Sequence, residues 1–515
     1  MKKVKKVAMH SLGCKVNSCE TKAMQAKLEG RGFEMVPFDE VADIYIVNTC
    51  TVTGVADQKS RKLLRRARRQ NGDAVIVAVG CLVDAGRLKK GDVREETGVD
   101  LWITNDEKER LDEILLKYLA NTSDTQAPSA RPGLPSAAKT PSRAFIKIQD
   151  GCDMYCSYCI VPYVRGRARS KNAAAIIAEA KMAVAAGYQE IVLTGINLSA
   201  YGGDRGESAA LIGLLEQLSK LKGLMRIRLS SLEQGIITPD FARRMAALPK
   251  VCPHFHLSLQ SGSDTVLGRM NRRYGTAEYY EKVEMLRAVY ENTVIPQIFN
   301  AGSTAKDAVI PQIFNAGSPA KDAVIPQIFN AGSPAITTDI ITGFPGETDE
   351  EFMQTKAFVQ QVGFAGLHVF PYSKRAGTQA AALPGQIPPA LKKERCRELI
   401  LLGETLSREY RTKLIGRAVS LILEEKKQIN GKTYWLGYSA EYVRVAVAET
   451  DLAEAAAQPG YLTEAVVCGC LTGEIMLAVT MQGSATKFAA NLRNRVFGGC
   501  HVDISAKFYR YMVDS

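Results

Sequence analysis

The sequence predicts an α/β protein in three parts: an N-terminal doubly wound parallel-sheet domain, a central partial (β/α)6 barrel, and a small C-terminal all-β barrel of the oligonucleotide-binding kind. Three observations carry this expectation. Short β-rich runs alternate with helical patterns over residues 1–120 and again from Arg143, the rhythm of parallel βαβ folds. Near residue 413 the alternation gives way to successive short strand patterns with turns between them. The two α/β stretches are separated by residues 121–142, rich in Pro, Ser and Ala without hydrophobic period, as an interdomain linker would be.

At 515 residues the chain has room for two to four domains, each with its own core. A hydrophobic fraction of 46% and a charged fraction of 23% are ordinary for a soluble globular protein. The N-terminus, MKKVKKVAMHSLGC, is basic but has no apolar core segment, and no run of about 18 apolar residues occurs, so secretion and membrane spanning are not expected and a cytoplasmic location is. A net charge of +12 suits a polyanionic partner such as RNA as well as it suits simple solubility.

In the first domain, strands are expected at Val7–Leu12, Asp43–Val47, Ala74–Val79 and Leu101–Thr104. Cys14, Cys50 and Cys81 each fall just past the end of one of these strands, 36 and 31 residues apart, or about one βα unit. Their side chains should therefore meet on the edge of the sheet where open α/β folds bind ligands. Three cysteines at equivalent positions of three repeats are hard to explain as packing, and a metal cluster is the better reading.

In the second α/β stretch, residues 143–390, six strands are expected: Ala144–Ile148, Glu190–Thr194, Arg226–Ser230, His254–Leu259, Thr338–Thr342 and Leu367–Phe370. Helices fill the gaps, as at Ala173–Ala186 and Ala277–Tyr290. Such a barrel works at the strand C-terminal ends. Directly after its first strand, Cys152, Cys156 and Cys159 spell C-x3-C-x2-C. Three thiolates can hold three irons of a 4Fe-4S cube and leave the fourth open to a cofactor or substrate. Zinc would want a fourth Cys or His, and none follows before Cys252. A disulfide framework suits small secreted domains instead.

Between strands four and five, VIPQIFNAGSTAKDA (294–308) recurs as VIPQIFNAGSPAKDA (309–323) and VIPQIFNAGSPA (324–335). Too few copies exist for a solenoid, so 294–335 reads as a tandem-duplicated insertion on the face away from the chemistry, its apolar VIPQIF an aggregation liability or a docking patch. Residues 391–412 read as a helical connector and 413–480 as the β-barrel. The tail, 481–515, carries no assignable pattern.

These motifs resemble those of the radical S-adenosylmethionine (SAM) methylthiotransferase family over roughly residues 5–294 and 336–480. The resemblance rests on SLGCKVNSCET, NTCTVT, VGC, IQDGCDMYCSYCIVPYVRGRARS, LTGINLSAYG, RLSSLE, HLSLQSGSDTVLGRMNRRY and TDIITGFPGET. GCKVN with its following ET, and VTGVADQKSRKLLRRARR after Cys50, are similar to the branch acting on tRNA N6-threonylcarbamoyladenosine (t6A).

The resemblance implies a SAM cluster on Cys152, Cys156 and Cys159, an auxiliary 4Fe-4S cluster on Cys14, Cys50 and Cys81, and a TRAM-like C-terminal barrel. It implies SAM cleavage to a 5′-deoxyadenosyl radical, hydrogen abstraction from C2 of the adenine at position 37 beside the anticodon, and delivery of a methylthio group to that carbon. An unactivated aromatic C–H is beyond any acid or base, so cofactors must carry the step. A reducing electron donor, a sulfur donor and t6A-bearing tRNA would be the partners, with the donors and oligomeric state left unnamed.

Candidate SAM contacts are Tyr158, Gly195, Asn197, Ser230, Glu233, Gln260, Gly343 and Gly346; the alternatives are packing for Tyr158, loop capping for the strand-end residues and a plain turn for GFPGET. Lys62, Arg65, Arg66 and Arg69 share one face of the helix after Cys50 and suggest phosphate contact, as do Arg165, Arg167 and Arg169 after the triad. Charge runs are usually solvated faces. Cys19, Cys252 and Cys396 read as small hydrophobes, Cys468 and Cys470 as neighbours on one strand face, and none of them, nor Cys500, is assigned a metal. Two rivals remain: methylthiolation of isopentenyladenosine tRNA or a ribosomal protein, and a non-catalytic iron–sulfur protein that binds RNA or senses redox state.

Overall fold

The computed structural model describes residues 5–88, 97–122, 142–291, 332–453 and 456–480. The expectations for most of the linker, for the repeats and for the tail lie outside these residues.

The N-terminal unit runs β1 (Lys6–Ser11), α1 (Lys15–Gly30), β2 (Glu34–Val36), β3 (Ile44–Thr49), α2 (Gly54–Gln70), β4 (Val75–Gly80), α3 (Cys81–Leu88), β5 (Leu101–Ile103) and α4 (Leu111–Thr122). All strands are parallel in the order β2-β1-β3-β4-β5. The short β2 was not anticipated. Strands β3 (IYIVNT) and β4 (VIVAVG) are apolar almost without break because both their faces are covered. Ile44 and Ile46 pack with Met24 and Leu28 of α1 and Leu111 and Leu115 of α4. Tyr45 and Val47 face Leu64 and Ala67 of α2 on the opposite side. The chain reverses strand order between β1 and β3, which places the switch point, and hence the binding crevice, at their C-terminal ends.

The central unit contains β6 (Arg143–Lys147), a small hairpin of β7 (Gln149–Asp150) and β8 (Arg169–Ser170) with α5 (Val161–Arg165) between them, α6 (Ala173–Ala185), β9 (Glu190–Thr194), α7 (Ala210–Ser219), β10 (Arg226–Leu229), α8 (Pro239–Ala246), β11 (His254–His256), α9 (Asp264–Arg269) and α10 (Thr276–Glu291). It continues with β12 (Ala335–Thr342), α11 (Asp349–Val362), β13 (Gly366–Pro371) and α12 (Pro389–Thr412). Two three-stranded parallel sheets, β10-β9-β6 and β11-β12-β13, are joined by parallel bridges Ile227–Val251 and Leu232–Leu257. The six long-range strands thus follow chain order around an open barrel. Its wall is lined outside by Ile191, Leu193, Phe255 and Ile340, all fully buried against Leu215, Tyr279 and Val359 of the helices. Burial of each such aliphatic side chain contributes about 1.5–3 kcal/mol.

The last unit, β14 (Ala418–Ile429), β15 (Lys432–Ser439), β16 (Arg444–Ala448), β17 (Leu462–Cys470) and β18 (Met476–Thr480), closes into a barrel of order β14-β15-β16-β18-β17. A bulge between Val467 and Gly469 corrects one expectation: Cys468 is buried and Cys470 exposed, so the two do not share a face. This barrel plugs the foot of the central one. Arg226 and Arg228, wholly buried in β10, reach backbone carbonyls of Ser420, Tyr438, Ser439 and Ala440. Glu190 of β9 pairs with both guanidiniums and lies near Arg143. Burial works against its charge, but Arg226 and Arg228 hold its carboxyl at about 2.

Candidate active site

The two thiol triads are built in different ways on neighbouring elements. Cys14 caps the start of α1, Cys50 follows β3, and Cys81 opens α3 directly after β4. The close approach depends on Gly13, at φ +95°, where a Cβ would sit 2.6 Å from the Cys50 sulfur. The Cys50 thiol is pushed up to about 11 by burial and by Cys81 and Cys14 beside it. The second triad sits on the loop between β7 and α5. There burial, then Cys156 and Cys152, push the Cys159 thiol up to about 12. In each set the sulfurs are close enough to oppose one another's ionisation, a cost that a bound cation removes. The donor chemistry and spacing fit an iron–sulfur cluster on each set, with no fourth protein thiolate in either among the described residues.

The elements that carry the two triads are in contact. Cys81 and Ala85 pack on Ile160 and Val164, which follow the loop cysteines. Asn105 Nδ2 donates to Cys81 Sγ at 3.7 Å and to the Val164 carbonyl at 2.8 Å. Arg165, expected at phosphate, is instead buried: it donates to Glu20, Asp150 and Asn17, clamping the N-terminal unit to the barrel. A second clamp joins Arg375 to Asp57 at 2.7 Å, while Ser373 Oγ accepts from the Gly54 amide at 2.8 Å, fixing the loop after Cys50.

Arg272 was missed by sequence reasoning. Its Nη1 donates to Cys156 Sγ at 3.3 Å, and its Nη2 pairs with Glu233 and with Tyr274 Oη. Arg273, its neighbour in the same motif, is exposed; only the fold distinguishes them. Two non-glycine residues with left-handed backbone, Tyr155 and Asn271, meet at this loop, where Asn271 Nδ2 ties the Tyr155 carbonyl down at 2.9 Å. Strain of this kind concentrates at working sites.

The remaining candidates divide. Tyr158 packs beside Val266, Met270, Phe344 and Tyr372, its phenol raised by burial and by Cys156. Gly195 and Ser230 line a cavity of about 1170 Å³ in the barrel lumen, and Ser230 Oγ is buried with no partner among the described residues. Asn197 caps the next turn through Ser199. Glu233 is committed to Arg272, and Gln260 to backbone bridges with β12. Gly343 and Gly346 hold positive φ in a turn packed on Lys392 and Gly385. Lys62, Arg65, Arg66 and Arg69 are exposed, Arg66 paired with Asp39. They lie about 12–22 Å along α2 from its start near Cys50. Arg167 and Arg169 are exposed and paired with Asp153 and Asp106.

Comparison with known proteins places this geometry. Residues 6–104 match the uncharacterized protein family UPF0004, and residues 146–299 match the radical SAM superfamily. The threonylcarbamoyladenosine tRNA methylthiotransferase MtaB of Bacillus subtilis (strain 168) is 34% identical over 86% of this chain and 91% of its own length. The protein of the same name from Aquifex aeolicus (strain VF5) is 33% identical, over 82% of this chain and 94% of its own. The tRNA-2-methylthio-N(6)-dimethylallyladenosine synthase of Moorella thermoacetica is 32% identical, over 82% and 88%. Among solved structures, the radical SAM methyltransferase TsrM from Kitasatospora setae superposes with a TM-score of 0.50 at 14% identity, covering 74% of this chain and 77% of its own, a likeness of fold alone.

Proposed function

The chain belongs to the radical SAM tRNA methylthiotransferase family, and from that premise we propose that it adds a methylthio group to C2 of N6-threonylcarbamoyladenosine at position 37 of tRNA. The observation that carries this reading is the pair of three-thiol sets on elements that touch, Cys81 packing on Ile160 and Val164 and Asn105 bridging Cys81 to the Val164 carbonyl. When bound, the clusters supply reductive cleavage of SAM to a carbon radical and the sulfur that becomes the methylthio group. Cys152, Cys156 and Cys159 hold the SAM cluster; Cys14, Cys50 and Cys81 hold the auxiliary one.

The protein's own groups position this chemistry. Arg165 and Arg375 lock the two halves in register, so that the auxiliary triad stays over the mouth of the barrel. Arg272 steadies Cys156 with a charge-assisted donor, stabilising the more negative, reduced state of its cluster. Ser230 offers an unsatisfied hydroxyl on the lumen wall for SAM or substrate. The basic face of α2 runs out from the site and contacts tRNA phosphates. A reducing donor in the cytoplasm supplies the electron and a separate donor replenishes sulfur.

The choice of t6A over isopentenyladenosine rests on GCKVN and on the names of the Bacillus and Aquifex relatives. Mass spectrometry of tRNA nucleosides from a strain lacking this protein tests it. The methylthio mark on t6A should disappear; its persistence with no second enzyme present would overturn the substrate.

A further inference from the structure

The lumen cavity runs from Gly195 and Ser230 at the strand C-terminal ends to His254 and Tyr442 at its foot, and its wall includes both Cys14 and Lys15. Lys15 is unusual there. Its Nζ lies 5.9 Å over the Tyr442 ring, and among the described residues it makes no hydrogen bond or ion pair. The nearby cations Arg143 and Arg228 already have carboxylate partners, Glu190 for both and Glu424 for Arg143. An ammonium left over in a half-enclosed lumen is a site for an anion.

Across the lumen stand His256, Asp339 and His368. His256 Nε2 lies 3.3 Å from Asp339 Oδ2, and its Nδ1 is 3.0 Å from Thr337 Oγ1. Their ligand atoms lie within 4.8 Å of one another, close enough to suggest a metal site. Lys15 and Asp339 line the same cavity, and beside an ammonium the group also suits hydrogen-bonding a polar organic ligand.

We propose that this cavity is the specificity pocket for the N6 substituent of the adenine, with Lys15 pairing with the threonyl carboxylate and the His256–Asp339 pair hydrogen-bonding its hydroxyl and urea groups. The inference rests on the t6A reading above. Its geometry follows from two adjacencies. C2 and C6, the carbon that bears N6, flank the same ring nitrogen, so a base whose C2 is presented to the cluster on Cys14 projects its N6 substituent past that cysteine. Lys15 is the next residue, its Cα about 3.8 Å further along the chain. One helical turn thus presents both the sulfur chemistry and the reader of the substituent. An apolar isopentenyl group entering the same place would strip water from Lys15 and return nothing, which discriminates against it.

The test is binding of anticodon stem-loop RNAs to the reconstituted holoenzyme under anaerobic conditions, by fluorescence anisotropy. Lys15→Met should weaken binding of the t6A stem-loop at least about tenfold and leave the unmodified-adenosine stem-loop unchanged. Wild-type protein should lose the same factor when the threonyl carboxylate is a methyl ester, a measurement that needs no variant. An unchanged ratio between the two RNAs in Lys15→Met, or an ester bound as tightly as the acid, overturns the inference while wild-type turnover of t6A leaves the substrate reading standing. No turnover of t6A by the wild type overturns both.

Discussion

The two thiol triads solve one problem by opposite means. Cys152, Cys156 and Cys159 lie within eight residues, so the loop that carries them determines most of their separation. Cys14, Cys50 and Cys81 span 68 residues and meet only because β1, β3 and β4 are adjacent and parallel. The loop set needs only local anchoring by Arg272 and Asn271, whereas the topological set depends on sheet register and on one glycine. A radical generator can be a portable module; a sulfur site facing it must be placed by a whole domain.

The largest effect expected from breaking this contrast is at Gly13. Gly13→Val would drive a side chain into Cys50 Sγ, abolishing assembly of the topological cluster. Iron analysis should show loss of about half the metal, as expected when one of two four-iron clusters is missing, with 5′-deoxyadenosine formation retained. Next comes the clamp between the halves. Arg165→Met leaves Glu20 and Asp150 short of a buried partner and should destabilise the protein by about 3–5 kcal/mol, read as a lowered thermal midpoint, with methylthiolation falling more than SAM cleavage.

Acid should act on the scaffold. Glu190 titrates at about 2 in the folded protein against an ordinary value of 4.5. Its depressed pKa contributes stability that is fully present above pH 4.5 and is lost as pH falls towards 2, an amount on the order of 3 kcal/mol. Glu190→Gln should flatten that part of the stability profile in denaturant titrations. The smallest effect, and the one that sharpens the contrast, is at Arg272. Arg272→Gln should lower the midpoint potential of the loop cluster by on the order of 40 mV, equivalent to about 1 kcal/mol of differential hydrogen bonding, with the other cluster's electron paramagnetic resonance signal unmoved.

Both triads were legible in the sequence for reasons that match how they are built. Spacing alone marked the loop set, and strand-end positions marked the other once the parallel order was inferred. The six long strands of the barrel were legible from β-rich runs alternating with helical patterns, and the closed C-terminal barrel from five alternating segments. What was hidden depends on neighbours distant in the chain. RIRL reads as half-exposed, yet Arg226 and Arg228 are buried because Glu190 and the carbonyls of the C-terminal barrel receive them. Arg165 looked like a phosphate contact because nothing local reveals Glu20, 145 residues away. Cys468 and Cys470 share parity, but the bulge between Val467 and Gly469 splits them.

Division of labour between the triads is tested most directly in the Cys14→Ala, Cys50→Ala, Cys81→Ala variant, reconstituted anaerobically and given SAM, a strong reductant and t6A-bearing tRNA. The expected result is continued formation of 5′-deoxyadenosine with no methylthiolated nucleoside. Methylthiolated nucleoside from this variant, or loss of SAM cleavage in a protein whose loop cluster is spectroscopically intact, would contradict the assignment.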